Sequence, residues 1–138
     1  MEKRCYNFTI FGDPVGKQRP RVTQHGTYTP KKTKDYEELV KSLYQGPYFG
    51  DVPLCVDVLA VFPIPKSYTK KQRAECLGKP YMKKPDYDNI LKIISDALNG
   101  VAYKDDNQIV SAYIYKRYTC EVNDDPRVTV ILKEAELF

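Results

Sequence analysis

Acidic side chains are concentrated in one short stretch of the chain, between Lys84 and Ile109. This stretch holds five aspartates and, among them, a lysine that could neutralise charge: Asp86, Asp88, Asp96, Asp105, Asp106 and Lys92. Clustered carboxylates repel one another, so they either take up protons more readily or bind a hard cation. Mg²⁺ takes oxygen ligands and binds substrate phosphates directly. The set could therefore support metal-assisted cleavage of a phosphodiester.

The spacing of these residues suggests how they could meet. If the chain stays extended before the helix, Asp86 and Asp88 project to the same side. Asp88 then begins a helix, on which Lys92 and Asp96 follow at intervals of four residues along one face. After the helix the chain can turn back, so that Asp106 and the aspartate before it approach the first two. In that arrangement, Lys92 could stabilise charge on the phosphate or on the leaving oxygen.

Each acid also has a purely structural interpretation. Asp88 could serve only as a helix cap. Asp96 could only pair with Lys92 across one helical turn, and Asp105-Asp106 could only form a turn. Pairs of aspartates two residues apart are common, so spacing alone favours the structural interpretations and leaves the metal site open.

Basic residues border the acidic stretch. The net charge is +4, yet residues 1–34 carry eight Lys or Arg against two acids, and residues 66–84 carry seven against Glu75 alone. Such blocks attract a polyanion through phosphate contacts, although a solvated surface is an equally ordinary use of them. Four basic residues are expected to contact nucleic acid: Lys17, Arg19, Arg21 and Lys84.

Composition limits the class of protein. The chain has 138 residues and a mass of 16.0 kDa, which predicts a single domain over residues 1–138. Four scattered cysteines and one histidine, His25, argue against a zinc finger or ribbon. No apolar run approaches the roughly 20 residues of a membrane span, and the N-terminal residues do not resemble a secretory signal. We therefore expect a cytoplasmic protein without a membrane partner.

Hydrophobic periodicity predicts the element order β-α-β-α-α-β-β. The predicted strands are residues 6–11, 54–62, 108–118 and 127–133. The predicted helices are residues 34–45 with Thr33 as cap, 69–78, and 88–99 with a buried side of Ile90, Leu91, Ile94, Ala97 and Leu98. Residues 12–30 are expected to form a long basic loop or an irregular hairpin, and residues 123–126 a turn. The predicted fold is α+β, a small mixed sheet of about four to five strands with helices packed on it.

Read as a whole, the acidic stretch resembles the signature of the RusA family of Holliday junction resolvases. It reads Lys-Pro-Asp-Tyr-Asp-Asn-Ile-Leu-Lys, then Asp-Ala-Leu-Asn-Gly, then Asp-Asp-Asn-Gln-Ile, from Lys84 to Ile109. Residues 12–21, 28–33 and 61–65 resemble phage- and prophage-borne members more loosely.

The resemblance implies a homodimeric, Mg²⁺-dependent endonuclease, in which Mn²⁺ can substitute. It would cut four-way DNA junctions by paired nicks, in recombination and repair, without a nucleotide cofactor. By motif position the metal site falls on Asp86, Asp88 and Asp106, and the catalytic lysine on Lys92. A two-fold junction suits a two-fold dimer, for which residues 34–45 and 108–118 are candidate subunit surfaces.

Two other functions stay open at this level. One is a non-catalytic module that binds branched or single-stranded DNA and whose acids serve folding. The other is a nuclease with broader specificity for flaps, forks or branched RNA, because the same phosphate chemistry serves all of these substrates.

Overall fold

A computed structural model describes residues 3–121 and 124–136 of the chain. Its strands and helices follow one another as β1 (Cys5–Phe11), β2 (Arg21–Thr23), β3 (Gly26–Tyr28), α1 (Lys31–Leu43), β4 (Leu54–Phe62), α2 (Lys70–Cys76), α3 (Tyr87–Leu98), β5 (Ile109–Tyr118) and β6 (Arg127–Glu134). A short 3-10 turn, Asp106–Gln108, precedes β5. The predicted α+β fold with a small mixed sheet is confirmed.

Four of the strands form one sheet in the order β1-β6-β4-β5. Strand β4 lies inside this sheet, parallel to β5 and antiparallel to β6, and β6 pairs with β1 on its other side. A parallel pair needs a long crossover connection, and the chain between β4 and β5 supplies it with helices α2 and α3. The crossover thereby places α3 directly before the edge strand β5.

The hydrophobic core lies between one face of this sheet and helices α1 and α3. Alternate residues of β4, from Leu54 to Phe62, are buried there. The apolar run 54–62 was predicted as a buried strand, and this is confirmed. Strand β6 contributes Val128, Val130 and Leu132, also on the predicted face.

Helix α1 begins earlier than predicted, and Thr33 is not its cap. The helix starts at Lys31, directly after Pro30, whose backbone is extended and whose carbonyl accepts a hydrogen bond from the Lys34 N–H. Proline has a fixed φ and no N–H, which suits the residue just before a helix begins. Thr33 is instead fully buried, and its hydroxyl accepts a hydrogen bond from the Gln18 N–H at 3.2 Å.

Helix α2 follows its sequence signal closely. The Thr69 hydroxyl accepts from the Gln72 N–H, and the Gln72 side chain accepts from the Thr69 N–H. This is the capping box predicted from the residue types. The helix ends before Gly78, whose φ of 66° is a left-handed conformation that favours glycine.

The basic segment 12–30 contains a hairpin, one of the two forms predicted for it. Strands β2 and β3 pair antiparallel, with Arg21 opposite Tyr28. All of residues 18–29 are exposed, so the hairpin projects from the body of the protein.

The turn predicted at residues 123–126 includes Asn123, which lies outside the described residues, so that prediction is only partly visible. All four cysteines carry unbridged thiols. None of the helices in the described ranges is both long enough and apolar enough to cross a membrane.

Candidate active site

The start of α3 fixes the first two aspartates of the acidic stretch. The helix begins at Tyr87, with Asp86 as the extended residue before it and Asp88 within its first turn. The helix therefore begins one residue before the predicted start near Asp88. Residues 86–88 do not all stay extended, and the alternative in which Asp88 is only a helix cap is wrong. Both carboxylates are exposed, and neither Asp86 nor Asp88 is used as a side-chain cap. A carboxylate in this position is stabilised by the helix dipole.

One face of α3 is charged and exposed, and the other is buried. The exposed face continues from Asp88 to Lys92 and Asp96, with Lys92 Nζ 3.8 Å from an Asp96 carboxylate oxygen. The Lys92 side chain is 61% exposed. The buried face was predicted with one error, because Ile93 is buried in place of Leu91, which is only half-buried: Ile90, Ile93, Ile94, Ala97 and Leu98.

The chain turns back after α3 and brings Asp106 beside the charged face. Tyr103 is fully buried, and its hydroxyl donates to the Ser95 carbonyl at 2.6 Å, which ties the return segment to the helix. The Asp105 carboxylate accepts from the Asp106 N–H, and Asp105 N–H donates to the Gln108 side chain. These hydrogen bonds hold Asp106 in the first position of the 3-10 turn.

The electrostatics of Asp106 show which groups surround it. Partial burial raises its pKa above the ordinary value, and the nearby Asp105 and Asp96 carboxylates raise it further, whereas Lys92 lowers it. Asp106 therefore lies in the field of Lys92 and Asp96. Carboxylates that raise one another's pKa can be stabilised in their charged form by a hard cation that takes oxygen ligands.

Asp86 has a different set of neighbours. A carboxylate oxygen of Asp86 lies 3.0 Å from Lys84 Nζ, and its charge acts on Lys116 of β5. Burial lowers the pKa of Lys116, the Asp86 carboxylate raises it, and Lys84 lowers it. The basic group on this side of the site thus includes Lys116, which the sequence reasoning missed.

Lys116 also holds the segment that leads into Asp86. Its Nζ donates to the Lys83 carbonyl at 2.7 Å and lies over the Tyr81 ring at 5.4 Å from the centroid. The signal that could have revealed it is its register, because Lys116 follows Ala112 and Ile114 on the core-facing side of β5. A lysine on the core-facing side of a strand is unusual, because a buried charge needs a polar partner.

The carboxylate set fits a magnesium ion in chemical type but is not assembled around one point. Three exposed or half-buried aspartates, with Lys92 beside them, offer the oxygen ligands that Mg²⁺ takes in proteins. Within residues 3–121 and 124–136, however, no three His, Cys, Asp or Glu side chains form a group that could hold a metal ion.

The basic loop after β1 is joined to α3 by close backbone packing. The Lys17 N–H donates to the Asn89 carbonyl at 2.8 Å. A Cβ atom on Gly16 would lie 2.6 Å from the Cβ of Pro85 and 3.2 Å from that of Asn89, so only glycine permits this approach. The same residues line a cleft of about 440 Å³ to which Lys32, Lys84 and Asp86 also contribute.

The four basic residues predicted to contact nucleic acid lie in two different environments. Lys17 is 17% exposed and is held by Glu37 of α1 and Asp96 of α3, each at 3.1 Å. Burial opposes its charge, but hydrogen bonds to both carboxylates raise its pKa. Arg19, Arg21 and Lys84 are exposed, so their side chains can reach a phosphate whereas Lys17 joins the two helices.

Fold and site together define a class of protein. A small α+β domain that presents carboxylates and lysines on one exposed helix face, beside a basic hairpin and a basic cleft, has the groups that a nucleic-acid-cleaving enzyme requires.

Comparison with known proteins gives the family. Residues 12–133 match the family model described as endodeoxyribonuclease RusA. The chain is also 37% identical over 142 residues to a Bacillus subtilis (strain 168) protein described as uncharacterized protein YqaN, covering 94% of this chain and 96% of that protein. The chain belongs to the RusA endodeoxyribonuclease family. Its resemblance to RusA resolvases is confirmed. At the level of the family, the match indicates a nuclease that resolves Holliday junctions.

Proposed function

We propose that this protein is a Mg²⁺-dependent endonuclease that resolves four-way DNA junctions by paired, symmetric nicks in recombination and repair. The observation that supports it best is the charged face of α3. On this face Asp88 and Lys92 are one turn apart, Asp86 directly precedes the helix, and Asp106 lies in the field of Lys92.

In this proposal Asp86, Asp88 and Asp106 hold the metal ion, and Mn²⁺ can replace Mg²⁺. When bound, the ion supplies a Lewis acid that activates a water molecule and stabilises charge on the phosphate. The three aspartates must move toward one another to bind it, because they do not form a metal-binding group as described. Asp86 would then give up its pairing with Lys84.

Lys92 is proposed to act on the reacting phosphate. Hydrolysis joins the water oxygen to phosphorus and breaks the bond to the leaving oxygen, which then needs a proton or a nearby positive charge. The exposed ammonium of Lys92, beside Asp96 and Asp106, is placed to provide that charge. Asp96 and Asp105 orient groups of the site rather than bind the ion.

The basic residues are proposed to bind the DNA backbone on both sides of α3. Arg19 and Arg21 reach it from the hairpin side, and Lys84 from the cleft beside Asp86. Lys17 was predicted to join them, but its two ion pairs suit a role in holding the hairpin base against α1 and α3. We also propose a homodimer and a cytoplasmic location, as expected from the sequence.

The decisive experiment is cleavage of a radiolabelled four-way junction with and without Mg²⁺. The wild-type protein should nick opposing strands only with the metal, and Asp88→Asn should abolish nicking while it keeps junction affinity. Asp51→Asn is a matched control, because Asp51 is an exposed aspartate outside the acidic stretch. Normal cleavage by Asp88→Asn would contradict the proposed metal site.

The same assay separates the alternatives. A protein that binds the junction in EDTA and never nicks it would be a binding module. Equal cleavage of flaps, forks and junctions would indicate broader specificity, and a preference for plain duplex would count against junction resolution.

A further inference from the structure

Strand β5 forms an edge of the sheet, and part of that edge has no partner in the described chain. Residues 109–115 contain neither charge nor proline. Natural sheets usually protect such an edge with charged residues, prolines or a covering segment. The side chains are also apolar and exposed: Val110, Tyr113 and Tyr115 are 66%, 59% and 40% exposed.

The backbone of β5 shows which groups point away from the sheet. The Lys116 carbonyl accepts from the Tyr81 N–H, and the Tyr118 N–H donates to the Lys79 carbonyl, so residues 116 and 118 point outward. Because backbone direction alternates along a strand, Ala112 and Ile114 point outward as well. Among the described residues, neither of these two forms an outward hydrogen bond.

The unpartnered stretch has clear limits on both sides. A bulge at Val110 interrupts the pairing with β4 at one end, and bulges commonly end a pairing. At the other end, the segment at Tyr81 occupies the edge from Lys116 onward. Between these limits lie Ser111–Tyr115, and the central residue of the five is Tyr113.

We propose that this edge binds the same edge of a second copy of the chain, antiparallel, around a two-fold axis at Tyr113. Ala112 of each copy then pairs with Ile114 of the other, which satisfies the outward N–H and carbonyl groups of both residues. The two Tyr113 rings meet on the opposite face of the strand, as a cross-strand aromatic pair. A two-fold interface needs a self-complementary surface, and a stretch centred on one residue with no charge meets that requirement.

Strand β1 is the other edge of the sheet and the alternative site for pairing with a second copy. Its central residues Phe8 and Ile10 are buried, and only Asn7 and the two end residues are exposed. Strand β5 instead has four consecutive exposed residues, from Val110 to Tyr113. The exposed apolar surface that a subunit interface would bury is therefore on β5.

This interface would determine how the two active sites face the substrate, a consequence that rests on the proposed function. An axis perpendicular to the sheet keeps the helix-bearing faces of both copies on one side. Both α3 helices, with their carboxylates, would then face the same side of the dimer. A two-fold DNA junction lying across that side could meet both sites at once.

The test is the oligomeric state without DNA or metal, so that it is independent of nuclease activity. Analytical ultracentrifugation should find a dimer for wild type at micromolar concentration. Tyr113→Lys places two like charges opposite each other across the axis and should weaken the dimer by about tenfold to a hundredfold. Asn7→Lys on β1 is the matched control and should leave the dimer intact.

A charge swap separates repulsion from misfolding. Mixing Tyr113→Lys with Tyr113→Glu should give a dimer that is tighter than the dimer of either variant alone. Tyr113→Cys gives a second test, because residues in a non-hydrogen-bonded antiparallel pair have Cα atoms about 4.5 Å apart, within reach of a disulfide. Oxidation should give a covalent dimer for Tyr113→Cys beyond the wild-type background of four cysteines.

Several results would overturn the proposal. These are a monomeric wild type, a Tyr113→Lys variant that dimerises as tightly as wild type, or a dimer that is weakened by Asn7→Lys instead. If Tyr113→Lys loses its circular dichroism, failure of Tyr113→Cys to cross-link would decide against the interface. A dimer with no nuclease activity would leave this interface standing and contradict only the proposed function.

Discussion

The two faces of helix α3 are held in place by different interactions. Its apolar face is organised by burial, and all of its residues are removed from water: Ile90, Ile93, Ile94, Ala97 and Leu98. Its charged face is exposed, and the partners of that face come from distant parts of the chain. Lys17 reaches Asp96 from the loop after β1, and Asp106 approaches Lys92 from the turn before β5. The helical period of the sequence therefore predicts the apolar face, whereas the contacts of the charged face depend on where loops from distant parts of the chain meet the helix.

The largest expected effect is on the buried face. Ile94 is almost fully buried, so Ile94→Ala should lower the free energy of unfolding by about 2–5 kcal/mol. Urea unfolding measures this, and the cleavage rate per folded molecule should be unchanged. Leu39→Ala on the exposed side of α1 is the control. A loss no larger than that of the control would mean that this face is not the core contact.

The charged face should give the opposite result. Lys92→Ala should slow junction cleavage by about a hundredfold, or about 2.7 kcal/mol, because the positive charge beside the phosphate is lost. Unfolding and junction affinity should stay close to wild type, as for Lys41→Ala, an exposed lysine of α1. Full cleavage activity in Lys92→Ala would leave that lysine with a structural role alone.

A smaller effect tests the two kinds of basic residue. Lys17→Met removes the ion pairs of Lys17 with Glu37 and Asp96, leaving Asp96 only its longer contact with Lys92, and should cost about 1–3 kcal/mol of stability. The salt dependence of DNA binding should not change. Arg21→Gln should do the reverse, with unchanged stability and a salt slope reduced by about 1. A reduced slope for Lys17→Met would restore Lys17 as a phosphate contact.

The smallest effect comes from an acid outside the helix. The Cys120 N–H, and then Arg127 and Arg117, hold the pKa of Asp124 below its ordinary value, although burial opposes this. A carboxyl group whose pKa is lower in the folded than in the unfolded state adds stability at pH values above its unfolded-state pKa. This stability is lost as the pH falls through the folded-state pKa. Asp124→Asn should therefore lose about 1 kcal/mol or less at pH 7.

That difference should shrink toward zero as the pH falls through the folded-state pKa of Asp124, because wild-type Asp124 is then protonated as well. Thermal unfolding at several pH values measures it. An equal loss at all pH values would mean that Asp124 acts through shape rather than charge.

Much of the fold could be predicted from local sequence. Strand β4 and the capping box of α2 follow directly from an apolar run and from a Thr and a Gln three residues apart. The errors arose where contacts over long sequence separations override local preference. Thr33 resembles a cap, yet it is buried against the loop that contains Gln18. Ile93 is buried in the core where Leu91 was predicted, because the elements packed against a helix determine which of its residues are covered.

The site could be predicted as a set of residues but not as a geometry. The motif identified Asp86, Asp88, Lys92 and Asp106, and their roles stay predictions. Two contacts could not be located from one sequence: the pairing of Lys17 with two carboxylates, and the position of Lys116 beside Asp86. Both depend on the sheet register and on helix packing, which local patterns do not specify.

The most direct test of the central claim is a crystal structure grown with Mn²⁺, in which anomalous scattering locates the ion. We predict that oxygens of Asp86, Asp88 and Asp106 lie within about 2–2.5 Å of it. An ion bound away from α3, or one from which Asp106 stays distant, would contradict the proposal that carboxylates from both ends of the helix form one metal site.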